Sequence, residues 1–197
     1  GATYIHQPYE KLRAKVLNVD QFSGFEEMLY SDEAFAGGLS SMGWNGNFGM
    51  ILHEHDKYDG SMRARKSYHI VDNLIVCLGS DIENTENVQG TETAVFQLSA
   101  DTDADKEHWS GVSSSDITFM DRNRTGYYIG KRSRPQVRFI YAYPQVSVRE
   151  RKEGQSQGDW VSLVLDHGKA PKDGSYEYAV LPGTDAVALK KFARKPS

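Results

Sequence analysis

Ser67-Tyr68-His69-Ile70-Val71-Asp72-Asn73-Leu74-Ile75-Val76-Cys77-Leu78 sets two short runs of β-branched, aromatic and aliphatic residues on either side of an Asp-Asn pair. Each run has the length and composition of a strand, and the pair between them is a turn signal. The same pattern repeats outward in both directions, at 48–53, 62–71, 74–79, 92–98, 116–120, 126–129, 136–148, 159–166 and 175–181. Turn-forming stretches separate these runs: Asp59-Gly60, residues 83–91, Asp121 to Gly126, Glu153 to Gly158 and Lys172-Asp173-Gly174. Many short strands punctuated this way predict an all-β fold of stacked antiparallel sheets, a large β-sandwich. Only the C-terminus has a helical signature, with Thr184 as N-cap, Asp185 in the first turn and Lys190, Lys191 and Arg194 towards the end. That charge order matches the helix dipole and predicts one short terminal helix. Residues 1–34 give no single pattern: Tyr9 to Val19 fits a strand or a short helix, and Ser23 to Glu33 a loop or one helical turn.

Composition excludes several classes of protein. The 197 residues suit one domain, 1–197, with a sizeable core, and 39% hydrophobic residues with 11 Tyr, 8 Phe and 3 Trp argue against disorder. Intermixed charges, 23 basic against 27 acidic, give a net charge of -4 and no basic field for nucleic acid or anionic lipid. No apolar run reaches membrane-spanning length, and no N-terminal stretch has signal-peptide order. The chain is expected to start after any export signal, and its opening Gly1-Ala2-Thr3, without Met, reads as a piece of a larger extracellular protein. The single cysteine, Cys77, lies in an apolar run and is read as a core residue.

Five clusters carry residue types with known chemistry. His53 and His55 alternate at a strand end and so share a face, as two ligands of one metal would, although no third ligand is identifiable. Asp101-Thr102-Asp103-Ala104-Asp105 opens like a calcium loop, but the sixth position is Lys106 rather than Gly and the twelfth Val112 rather than Glu, which favours a solvated acidic turn. Asp166-His167 could join a serine in a hydrolase triad, yet no serine sits in a nucleophile elbow. Lys131, Arg132, Arg134 and Arg138 lie near Tyr127, Tyr128, Phe139 and Tyr141, a mixture that could hold sulfated or uronic sugars or simply form a solvated face. In Ser31-Asp32-Glu33-Ala34-Phe35-Ala36-Gly37-Gly38-Leu39-Ser40-Ser41, a glycine pair follows two carboxylates. The glycines allow close backbone approach, and a carboxylate there could orient an arginine or tyrosine at a cleft, or mark a plain exposed turn.

Longer stretches carry a family resemblance. Arg63-Ala64-Arg65-Lys66-Ser67-Tyr68, Leu74 to Ile82 and Thr91-Glu92-Thr93-Ala94-Val95-Phe96-Gln97 resemble, in order and spacing, the central β-domain of family-eight polysaccharide lyases. Trp160 to Leu165, Asp166-His167-Gly168-Lys169-Ala170-Pro171-Lys172 and Ser175-Tyr176-Glu177-Tyr178-Ala179-Val180 look like that family's D-H-G-x-x-P…Y-E-Y segment. Phe35-Ala36-Gly37-Gly38 and Asn47-Phe48-Gly49-Met50 are most similar to the chondroitin sulfate ABC lyases within it.

The resemblance implies the family's supersandwich and a β-elimination enzyme acting on glycosaminoglycans, chondroitin and dermatan sulfates first. It further implies that the His, Tyr and Arg doing most of the chemistry belong to an N-terminal α/α toroidal domain outside this sequence, and that a smaller C-terminal β-domain is also absent. The fragment alone is then expected to be inactive. The family's remaining catalytic residue, a Glu near the start of the β-domain, corresponds by position to Glu33, with Asp32, Glu26 and Glu27 as neighbouring alternatives. Substrate-binding residues are not assigned. No cofactor is expected, no strong motif indicates a divalent cation, and the expected partners are the polysaccharide and the toroidal domain, with neither nucleic acid nor membrane. A secreted or periplasmic location follows only from the substrate. The competing reading is a non-catalytic carbohydrate-binding or interaction module that keeps the same sandwich.

Overall fold

The computed structural model of the chain describes residues 3–5, 33–54, 60–146 and 157–196. All strand pairings among them are antiparallel. One sheet has four strands in the order β1-β6-β10-β9, formed by Thr3–Ile5, Thr91–Ser99, Gln157–Gly168 and Val137–Val146. The other has seven, β2-β3-β4-β5-β11-β8-β7: Ala36–Ser41, Asn45–His53, Arg63–Val71, Leu74–Glu83, Gly174–Leu181, Gly126–Ile129 and Thr118–Met120. The expected sandwich is therefore present.

The core lies between the sheets. Alternation on β10 buries Val161, Leu163 and Leu165 completely against Ala64, Cys77, Ile129 and Tyr178 of the larger sheet. At one side Phe96 packs on Tyr127 and Trp109, with ring centroids 4.7 and 5.3 Å away, and Trp109 continues to Phe139 at 5.7 Å. Gly79 has a reason of this kind too, because the Tyr176 ring rests where a Cβ would stand.

Two elements were not expected. Residues 36–41, read as a glycine-containing loop, form the edge strand β2, and helix α1, Asp103–Trp109, replaces the acidic turn. The cause of α1 is local. The Thr102 side chain accepts from the Asp105 N–H, Asp103 and Asp105 occupy the first turn, and Trp109 anchors the last turn in the core. The terminal helix α2, Ala186–Arg194, is present as expected, but Asp185 rather than Thr184 caps it. The Asp185 Oδ1 accepts from Val187 N at 2.9 Å and Ala188 N at 2.8 Å, while Thr184 is buried against Gly126. Leu189 and Phe192 of α2 cover Tyr128, Ala179 and Leu181 on the outer face of β8 and β11.

The turns at one end of the seven-stranded sheet are joined to one another. Asn45 Oδ1 accepts from Asp72 N at 3.1 Å, Asn73 Nδ2 donates to the Pro182 carbonyl at 3.4 Å, and Thr184 N donates to the Arg124 carbonyl at 2.9 Å. The hairpin turn between β2 and β3 belongs to this rim and presents Met42 and Trp44, 88% and 72% exposed.

Candidate functional site

Glu33 stands three residues before β2 and is partly exposed. Its height on the sheet follows from pairing. Ala36 lies opposite Met50 and the Phe35 carbonyl accepts from Ile51 N at 3.1 Å, so Glu33 leads into β2 at the end where β3 finishes in His53. His53 is paired with Arg63 of β4, which is paired with Glu83 of β5. Ala64 and Lys66 point into the core at 1% and 5% exposure, so alternation turns Arg63 and Arg65 to the outer face. A polar row, His53-Arg63-Glu83, thus crosses that face at the end of the sheet away from the joined turns, and Glu33 enters the sheet at the same end. Beside it Arg65 bridges Asp81 at 3.2 Å, and His53 donates Nε2–H to the Gly60 carbonyl at 3.2 Å. A half-exposed carboxylate at this end of the sheet can accept from an arginine or a tyrosine brought against it. Asp32, Glu26 and Glu27 lie outside the described residues.

The other clusters have different arrangements. His55 lies outside the described residues, so the His53–His55 pair cannot be placed. Among the described residues no group of three His, Cys, Asp or Glu side chains is arranged to hold a metal ion. The Asp101–Asp105 carboxylates do not converge. Asp101 accepts from the Ser99 hydroxyl at 2.8 Å and from Asp159 N at 2.6 Å, and Asp105 from Thr102 and from Arg122 at 2.9 Å. These donors hold both carboxyls below their ordinary values.

His167 bonds Thr93 Oγ1 through Nε2 at 2.9 Å, and its Nδ1 is buried without a hydrogen-bond partner. Asp166 instead accepts from Gly168 N at 2.8 Å and faces Arg138 at 3.6 Å. The Ser-His-Asp arrangement is not formed. Burial lowers the His167 pKa to about 4, against the opposing pull of Asp166. The arginine patch is likewise dispersed: Arg134 donates to Tyr128 OH at 3.3 Å, Arg138 pairs with buried Glu92, and Tyr127 and Tyr128 have no open ring faces for a sugar.

An interior polar cluster escaped sequence reasoning because its members come from three distant strands. Lys66 lies with its ammonium 5.9 Å from the centroid of the Tyr176 ring, and Tyr178 and Cys77 lie beside it. Burial lowers Lys66 to about 8 and raises Cys77, Tyr176 and Tyr178. These groups are enclosed in the core, away from the Glu33 face.

Comparison with known proteins places the chain in a family. The model of the polysaccharide lyase family 8 super-sandwich domain matches residues 9–193. The chain is 55% identical over its whole length to a chondroitin sulfate ABC exolyase of Bacteroides thetaiotaomicron, and 36% identical over 91% of its length to one of Proteus vulgaris. It spans 19% of each of those proteins. In fold it resembles a Paenibacillus xanthan lyase, with TM-score 0.59 and 23% identity over 84% of this chain and 18% of that one. A Streptomyces coelicolor chondroitin AC lyase gives TM-score 0.57 and 22% identity over 81% of this chain and 20% of its own. With nearly its whole length matched by the family's domain model, and two antiparallel sheets to agree with it, the chain belongs to polysaccharide lyase family 8 as its super-sandwich domain.

Proposed function

We propose that this domain is part of a chondroitin sulfate ABC-type lyase and forms one wall of its cleft. The observation that carries the proposal is the 55% identity, over the entire chain, to a chondroitin sulfate ABC exolyase. The reaction is a β-elimination on chondroitin or dermatan sulfate. A general base takes the C5 proton of the uronate, whose carboxylate must be neutralised to make that proton acidic. The electron pair forms the C4=C5 double bond, the C4–O bond breaks, and a general acid protonates the departing glycosidic oxygen. A 4,5-unsaturated uronic acid results, and no water is consumed.

Within that scheme Glu33 is a positioning residue. It accepts hydrogen bonds from an arginine and a tyrosine supplied by an α/α toroidal domain of the parent protein, and so holds the groups that neutralise the carboxylate and move the proton. The parent acts where its substrate is found, in the periplasm or outside the cell.

The test uses the intact protein and follows the ultraviolet absorbance of the unsaturated product. Chondroitin sulfate left without unsaturated ends would overturn the lyase assignment. Glu33→Gln is expected to lower kcat by at least ten-fold while leaving the folded protein intact, in keeping with loss of a charged orienting hydrogen bond. Unchanged turnover would move the role to Asp32, Glu26 or Glu27.

A further inference from the structure

The polar row His53-Arg63-Glu83 contains a cation whose function the fold leaves unassigned. Arg63 is exposed on the outer face, and among the described residues its guanidinium has no ion pair. Its neighbours are committed: Arg65 bridges Asp81, and His53 donates to the Gly60 carbonyl. Glu83 lies opposite Arg63 in register without forming an ion pair with it. Arg63 therefore keeps its hydrogen-bond fork available for an anion from solution.

Resting on the lyase reading above, we propose that Arg63 binds an ester sulfate of the polysaccharide, on the amino sugar next to the uronate that reacts beside Glu33. Position supports this. Glu33 leads into β2 and Arg63 begins β4, at the same end of the sheet and two inter-strand spacings apart, about 10 Å across the strands. That separation takes Arg63 out of reach of the reacting carboxylate and brings it to a substituent on the adjoining sugar. Chemistry supports it as well, since a guanidinium presents paired N–H groups in one plane, and these match two oxygens of a sulfate. The contact sets substrate preference and leaves the bond-breaking step alone, because it exists equally before and during the reaction.

The experiment compares the intact wild-type protein with Arg63→Ala, Arg63→Lys and, as a surface-charge control, Lys172→Ala. Each is assayed on chondroitin sulfate and on chemically desulfated chondroitin, which retains every carboxylate. Binding of a sulfated and a desulfated tetrasaccharide is measured by titration calorimetry on the same samples, and folding by the melting midpoint. Arg63→Ala is expected to raise KM for the sulfated polymer about ten-fold, with kcat within about two-fold and the desulfated KM unchanged. Arg63→Lys should fall between, and Lys172→Ala should match wild type. Equal changes on both substrates, or none, would overturn the sulfate contact.

Failure of the lyase reading would look different. Wild-type protein would then release no unsaturated product, and the tetrasaccharide titration would decide on the subsite alone. A sulfate preference abolished by Arg63→Ala upholds the subsite. A preference absent from wild type, or retained in the variant, overturns it. Should Arg63→Ala melt early, Arg63→Lys carries the comparison.

Discussion

His167 shows how a residue that reads as chemistry can serve structure. Its ring spans the interval between the sheets, bonded to Thr93 on one side and packed at 6.3 Å from the Tyr176 ring on the other. Burial holds its folded pKa near 4 against an ordinary 6.5. With the folded pKa below the unfolded one, the unfolded chain binds the proton first, so stability declines as pH falls from about 6.5 towards 4. Chemical denaturation across that window should show the decline in wild type and a flatter profile in His167→Gln. An unaltered profile would mean that the ring is solvated. The adjacent Asp166 was a tempting triad partner in the sequence because neighbours in a chain look like neighbours in space. Successive strand residues instead point to opposite faces, and the side-chain contacts of the folded chain take His167 to Thr93 and Asp166 to Arg138.

At the scale of elements, strands with β-branched runs were legible and those made of small residues were not. β4 and β5 follow directly from the runs around Asp72-Asn73. β2, Ala-Gly-Gly-Leu-Ser-Ser, carries almost no strand propensity and exists because β3 pairs with it along its whole length. Helix α1 was hidden for another reason: its seven residues are too few for an apolar period, and its capping box of Thr and Asp looks like a turn. In α2 the cap was misplaced by one residue. The structure gives two N–H donors to Asp185 and none to Thr184, so Asp185→Ala is expected to cost about 1 kcal/mol, and a melting curve would register it. An unchanged melting midpoint in Asp185→Ala would contradict that assignment.

Across the whole molecule, the β-sandwich was readable from periodicity alone, whereas the candidate site was not. The glycine pair and two carboxylates drew notice to the segment around Glu33, but the choice of Glu33 came through family resemblance, and Arg63 was assigned no role by either, because the row across three strands joins residues 53, 63 and 83 that no local pattern connects. The proposed division of labour has a direct consequence for the isolated 197-residue chain. It should release no unsaturated product from chondroitin sulfate, since the base and acid of the elimination are assigned to another part of the parent. Measurable turnover by the chain alone would relocate the catalytic groups to this domain.

The joined turns at the far rim of the seven-stranded sheet also limit the domain's freedom to diverge. An inserted residue at Met42–Trp44, Asp72–Asn73 or Pro182–Gly183 disturbs the next turn as well as its own, through Asn45, Asn73 and Thr184. Connections at the opposite end are tied as well: Asn84 N donates to the Pro171 carbonyl at 3.3 Å, Ala170 N to the Glu86 carbonyl at 2.7 Å, and Thr85 N to the Ser61 hydroxyl at 3.4 Å. Length changes at either rim are therefore felt by more than one connection, and the strands are kept in step from both ends.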